Sequence, residues 1–234
     1  MEYKPAEKYQ TVIVDTINQL QNNLYLKLLD DKGKASFDDW KDYGIEILKL
    51  YEFIKSLPDT TLVQILGFEG TGKSFGTKFL NPSETMYFNI DNKPLTWFGA
   101  RKMYPVDNKL KNYSVPTTYE KVKSNIMHAH SNRKNHLVVF IIGHIEVFKD
   151  AETLAHRHRL LVLGKMATKF NINGATSHTY YTQIDSTLPK EAGKYSFTTE
   201  NSGFNTCRSP EGYWEGKIDN NYQLVVDKIL EDLN

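Results

Sequence analysis

The residues best suited to chemistry are Gly67-Phe68-Glu69-Gly70-Thr71-Gly72-Lys73-Ser74, a Gly-x-x-x-x-Gly-Lys-Ser spacing with Phe75 directly after it. Glycines let successive backbone N–H groups turn inward around a phosphate, and a helix opening at the lysine aims its positive end at the same anion. A lysine at position 73 reaches the outer phosphates of a nucleoside triphosphate, and the Ser74 hydroxyl suits Mg²⁺. The stretch 67–75 is therefore expected to bind ATP. The apolar run Leu62-Val63-Gln64-Ile65-Leu66 precedes it and supplies the buried strand that such a loop needs. Guanine is disfavoured as the base, because Asn92-Lys93-Pro94-Leu95 lacks the acid of the guanine-reading Asn-Lys-x-Asp motif and lies too early in the chain.

Phosphoryl chemistry with magnesium also calls for a carboxylate at the end of a neighbouring strand. Val12-Ile13-Val14-Asp15 has that form, but it precedes the loop where the usual order has it follow. Asp15 is either this carboxylate or the cap of a turn. Asp91, after the apolar run Met86-Tyr87-Phe88-Asn89-Ile90, is the candidate for orienting an attacking water, with Glu69 and Glu146 as rivals and a plain turn residue as the alternative. His144 follows the run Leu137-Val138-Val139-Phe140-Ile141-Ile142, at the strand edge where ligands of open α/β sheets lie. Trp97, Phe98, Arg101, Lys102 and Tyr104 interleave aromatic and basic side chains, a pattern suited to stacking bases and neutralising phosphates of single-stranded DNA. The same aromatics would serve equally to pack a loop onto its domain. The histidines at 128, 130, 136, 156 and 158 lack the cysteines or the His-acid spacing of a metal site, so no metal beyond Mg²⁺ is expected.

These residues need elements to hold them. Strands are expected over 11–16, 62–66, 86–90 and 137–142. Helices are expected over 74–80 after the loop, over 117–130 and over 222–233. A long helix opens at the Ser36–Asp39 capping box and carries Phe37, Trp40, Tyr43, Ile47, Tyr51 and Ile54 on one face, until Leu57-Pro58-Asp59 ends it. Residues 97–112 read as irregular. Segments 177–185 and 194–200 alternate like an antiparallel hairpin around Pro189 and Gly193. The fold class is α/β: a mainly parallel sheet with helices on both faces and an antiparallel β extension toward the C-terminus. The 234 residues suit one domain, with the acidic strand and helix in 1–60, the loop and core strands in 61–150, and the extension and last helix in 151–234.

Hydrophobic content of 40% and charged content of 24% are those of an ordinary globular protein, and a net charge of +1 does not announce a nucleic-acid binder. The single cysteine, Cys207, fits a reducing compartment. No signal peptide is visible in the polar first ten residues, and the longest apolar run has six. A cytoplasmic protein without membrane contact is the expectation.

Taken in pieces, the chain resembles the RecA-like P-loop ATP-binding proteins of bacteriophages, the group that contains the Sak-type single-strand annealing proteins. The pieces are 9–16 with 37–42, the phosphate loop, 89–95, Ile141-Ile142-Gly143-His144, Leu163-Gly164-Lys165, Asn201-Ser202-Gly203, and Arg208-Ser209-Pro210-Glu211-Gly212. The loop is the specific element among them. The departure is the acidic strand and its helix, which the family places between the 117–130 helix and the 137–142 strand. RecA-like sheets run in the spatial order fifth, first, fourth, third, second strand. The rearranged chain keeps both crossovers stepping in one direction, so the topology stays legal.

The resemblance implies that Asp15 is the Mg²⁺ carboxylate and that His144 senses the γ-phosphate. It implies that Asp91 acts on water and that Lys165 or Arg208 completes the site of a neighbouring copy in a homo-oligomer. It implies an ATPase acting on single-stranded DNA in recombination, repair or replication. Two alternatives stand beside it: an ATP-binding assembly or regulatory module with little turnover, and a P-loop small-molecule kinase using the arginines of His156-Arg157-His158-Arg159.

Overall fold

Unbroken apolar runs mark strands buried on both faces, and such runs form the middle of this molecule. In chain order the elements are β1 (Tyr9–Asp15), α1 (Ile17–Lys32), α2 (Phe37–Ser56), β2 (Thr60–Gly67), a 3₁₀ turn (Phe75–Phe79), β3 (Thr85–Asn89), α3 (Ala100–Met103) and β4 (Tyr113–Ser114). They continue with α4 (Tyr119–Ser131), β5 (Arg133–Lys149), β6 (His156–Leu160), β7 (His178–Ile184), β8 (Tyr195–Thr198), β9 (Lys217–Asp219) and α5 (Tyr222–Asp232). The structure is a computed structural model and describes residues 7–34, 36–107, 111–149, 154–162, 176–185, 187 and 194–233. Lys165 and the turn around Pro189 and Gly193 lie outside the described residues. Among the described residues no helix is long and apolar enough to cross a membrane.

The strands form one sheet in the order β4-β3-β1-β5-β2-β7-β8-β9, with β6 paired to β5 off that path. Every pairing from β4 to β7 is parallel, while β5–β6, β7–β8 and β8–β9 are antiparallel. The four core strands expected from the sequence lie side by side in the order β2-β5-β1-β3. β1 is inserted between β5 and β3 although it comes first in the chain.

Alternation along the strands sorts the core into two faces. Val12, Val14, Leu62, Leu66, Val139 and Ile141 pack against α1, α2 and α4 through Ile17, Leu20, Tyr51, Ile54, Val122 and Ile126. On the other face Ile13, Val63, Ile65, Tyr87, Phe140 and Ile142 meet Trp97, Tyr104 and the α5 residues Tyr222, Val225, Val226 and Ile229. Gln64, a polar residue inside β2, is paired. Gln64 donates to Tyr51 Oη over 2.7 Å and accepts from Thr179 at 3.4 Å.

Four features depart from the sequence reading. Helix α1 is an addition. Asn18 and Gln21 are buried beside Ile17 and Leu20, so its inward face does not read as an apolar stripe. The helix expected over 74–80 is only a five-residue 3₁₀ turn. Gly76 is a poor helix former, Thr77 Oγ1 donates back to Ser74 O over 2.7 Å, and Pro82 holds the chain before it extended. The 137–142 strand grows to 17 residues because its far end pairs with β6. The irregular 97–112 stretch contains the short helix α3.

Candidate functional site

Parallel pairing brings the chemically loaded residues to one edge. Gly67, which closes β2, lies opposite His144 on β5, and Asp15, which closes β1, lies between Ile142 of β5 and Asn89 of β3. The segments thus meet at the carboxyl ends of the strands, where open α/β sheets bind ligands. A cleft of about 860 Å³ opens there, lined by the loop residues Glu69, Gly70, Gly72, Lys73, Ser74 and Phe75 together with Asp15, Thr16, Asp91, His144 and Tyr195.

The loop depends on its glycines. Gly70 and Gly72 adopt φ of +75° and +87°, a region that L side chains rarely enter. A Cβ on Gly72 would also stand 2.5 Å from the Tyr195 ring. Behind the loop, the C-terminal extension holds its carbonyls. Asn220 Nδ2 donates to Gly72 O over 2.8 Å, Tyr222 Oη donates to Lys73 O over 2.7 Å, and Thr71 and Thr182 share a hydroxyl bond of 2.6 Å.

Lys73 folds back onto its own loop, donating to Gly67 O at 3.0 Å and Phe68 O at 2.7 Å. His144 Nδ1 lies 3.3 Å from the same ammonium. Burial lowers the Lys73 amine to about 8 against the partial support of Asp15, Glu69 and Asp91. Burial, and then the Lys73 charge, also lowers His144, which favours a neutral imidazole able to accept from Lys73. Asn18 holds that strand end in place: Oδ1 accepts from the His144 N–H at 2.7 Å, and Nδ2 donates to Leu161 O at 2.8 Å.

Asp15 is almost enclosed, at 7% exposure, and its peptide bond to Thr16 is cis. Ser74 Oγ donates to Asp15 Oδ2 over 2.7 Å, and Tyr87 Oη donates to the same oxygen over 2.5 Å. Burial raises the carboxyl while those two hydroxyls pull it back down. A hydroxyl and a carboxylate side by side are hard oxygen donors. Mg²⁺ takes one or two protein carboxylates and completes its shell with phosphate oxygens and waters, so this pair fits it without a full protein cage.

Asp91 accepts from Thr16 Oγ1 at 3.2 Å and pairs with Lys93 at 3.2 Å, and it lines the cleft, as Glu69 does. Glu146 is instead engaged by Arg159 at 2.8 Å on the β5–β6 arm and does not line the cleft. Arg208 is absent from the cleft of its own chain. It forms a backbone bridge with Thr179 and lines, with Lys55, a separate hollow of about 650 Å³ near the start of β2.

Trp97 is nearly buried, at 9% exposure, against Tyr87 and Tyr104, the packing alternative weighed above, and it also lines the cleft. The neighbouring Phe98 is fully exposed at the cleft, beside the exposed Arg101 and Lys102. The expected helix dipole behind the phosphates needs a correction. A five-residue 3₁₀ turn adds little to it, which leaves the backbone N–H groups and Lys73 as the positive side of the loop. Sequence reasoning missed Tyr87, Asn220 and Tyr222. Tyr222 opens a helix and Tyr87 sits mid-strand, and no local signal separates them from ordinary core residues.

Comparison of the chain with protein-family models, curated proteins and solved structures finds no match.

Proposed function

We propose that this chain is a Mg²⁺-dependent, ATP-binding P-loop protein with a RecA-like core, an ATPase of phage type that acts on single-stranded DNA in recombination, repair or replication. The observation that carries the reading is the 2.7 Å hydrogen bond from Ser74 to Asp15, which lies 59 positions away in the chain. The metal hydroxyl and the metal carboxylate expected from two unconnected motifs meet at one strand edge. The order β7-β2-β5-β1-β3 supports the RecA-like part, because it matches the spatial order of that fold once the acidic strand has moved ahead of the loop.

The residues divide the work. Backbone N–H groups of 69–74 cradle the β-phosphate, and Lys73 leaves its loop carbonyls to bridge the β- and γ-phosphates. Ser74 and Asp15 would hold Mg²⁺, which would supply positive charge against that building on the phosphate oxygens. Asp91, fixed by Thr16 and Lys93, orients the attacking water, and His144 on the adjoining strand end registers the γ-phosphate. The rings of Phe75 and Tyr195, 4.7 Å apart beside the loop, offer an apolar surface to the base. Arg208, near the start of β2 and away from the cleft of its own chain, acts on the nucleotide of a neighbouring copy, as does Lys165. The DNA part rests on the family resemblance and on exposed Phe98, Arg101 and Lys102.

One observation favours a second reading, an ATP-binding assembly module with little turnover: both carboxylate oxygens of Asp91 are already engaged, by Thr16 and Lys93. ATP hydrolysis with Mg²⁺, with and without single-stranded DNA, alongside Lys73→Ala, separates the two. DNA-stimulated turnover that disappears in Lys73→Ala is the result expected of the ATPase. Tight ATP binding without stimulated turnover leaves the assembly module, and no ATP binding at all overturns both.

A further inference from the structure

Tyr87 stands in the middle of β3, a strand buried along its whole length, with its ring between Tyr104, Tyr113 and Trp97. A phenylalanine would serve that packing as well. The hydroxyl is what needs a reason, since a buried phenol without a partner is costly. Its partner is the Asp15 carboxylate. The register explains the reach: Ile13 of β1 lies opposite Tyr87, so Asp15, two residues further along β1, is about two strand rises (~6.7 Å) ahead of it on the same face. A tyrosine leaning along its strand spans that gap. The Ser74 hydroxyl ends on the same Oδ2 from the loop side, and among the described residues Oδ1 accepts no hydrogen bond.

The geometry points to Tyr87 as a positioning residue for magnesium: its phenol pins Oδ2 of Asp15 and so turns Oδ1 toward the hydration shell of the metal. This rests on the ATP-and-magnesium reading above. Were Ser74 to give its oxygen to the metal, Tyr87 would be the donor from the protein core that still fixes the rotation of the carboxylate. Tyr222, the other deeply buried tyrosine under the loop, has a different duty. Its hydroxyl goes to the Lys73 carbonyl and so serves the loop backbone rather than the metal carboxylate. The two phenols therefore divide the site, one supporting the cation and the other the phosphate cradle.

The test uses full-length protein and calorimetric titration of ATP, first in EDTA and then across a Mg²⁺ series, for wild type, Tyr87→Phe and Tyr222→Phe. Supporting groups around metal ligands are worth about 10–100-fold in metal affinity. Tyr87→Phe is expected to raise the Mg²⁺ concentration for half-maximal enhancement by about tenfold or more, with ATP affinity in EDTA within about twofold of wild type. Tyr222→Phe is expected to weaken ATP in EDTA and in Mg²⁺ alike. In an Asp15→Asn background, Tyr87→Phe should add nothing to the magnesium response. An unchanged Mg²⁺ midpoint in Tyr87→Phe, or an equal loss with and without the metal, overturns the assignment while the nucleotide reading stands. A Tyr87→Phe chain that does not fold overturns it too, because the hydroxyl would then serve stability alone. A wild type that binds no ATP under any condition removes the nucleotide reading itself and this assignment with it.

Discussion

The two edges of the parallel strands handle charge in opposite ways. At the carboxyl edge Asp15, Lys73 and His144 are buried or half-buried, and each is pushed toward its neutral form by loss of water. At the amino edge Asp59 pairs with Arg133 at 2.7 Å and Lys134 with Glu84 at 2.6 Å, in the open, and Arg133 holds the Asp59 carboxyl below its usual value. Partly exposed pairs of this kind contribute little to stability. The carboxyl edge keeps charges where desolvation disfavours them, and that expense is typical of sites built for a ligand of opposite charge.

The sharpest way to break the contrast is Asp15→Asn. The proposal expects Mg²⁺-dependent ATP turnover to fall by about 10²–10³-fold, the scale of losing one well-placed electrostatic group in a site. The same change is expected to make the ligand-free protein more stable, by about 0.5–2 kcal/mol. The sign follows from the raised carboxyl: the folded state favours the protonated acid, so ionised Asp15 opposes folding at neutral pH. Urea unfolding of the ligand-free variant checks this, and a variant less stable than wild type would break the comparison.

His178, at the start of β7, is the exception on the amino side. It is buried at 5% exposure, and loss of water lowers it to about 4. A histidine depressed in the fold contributes stability above its unfolded value near 6.5, and that stability is lost as pH falls from there to about 4. The expected loss is up to about 3 kcal/mol, read from urea midpoints between pH 7 and 4. His178→Gln should flatten that slope.

Gly72→Ala comes next. A positive φ and the Tyr195 ring both oppose a methyl group there, so about 1–3 kcal/mol of stability should go, together with ATP affinity. Gly70→Ala meets open space and should lose less. Equal losses at the two glycines would show that strain alone governs the loop and that the Tyr195 contact is incidental. The smallest effect is expected from Asp59→Asn, a slight drop in the urea midpoint that added salt removes, since exposed pairs are screened.

Much of the frame was legible. The runs at 11–16, 62–66, 86–90 and 137–142 became strands because mainly apolar stretches fit a sheet covered on both faces. Ile47, Tyr51 and Ile54 all face the core, as their spacing required. What escaped reading was polar and interior. Asn18 and Gln21 hid α1, and Tyr87 and Tyr222 passed for packing because a phenol's partner can sit anywhere in the fold. Trp97 and Phe98 are adjacent in sequence with opposite fates, 9% and fully exposed. A two-residue aromatic pattern cannot say which ring turns inward, because the neighbours that decide it are Tyr104, seven residues on, and Tyr87 from β3.

By itself the sequence determined the local chemistry: the glycines that admit positive φ, the lysine and serine at their spacing, and apolar runs of strand length. These follow from single-residue sterics and from periodicity, which need no knowledge of the rest of the chain. Only the tertiary structure decided that β1 lies between β5 and β3, so that Asp15 meets Ser74 and Tyr87 at one carboxyl edge. The reason is that strand order is chosen by the burial of both sheet faces at once, a property of all the strands together that no local stretch encodes.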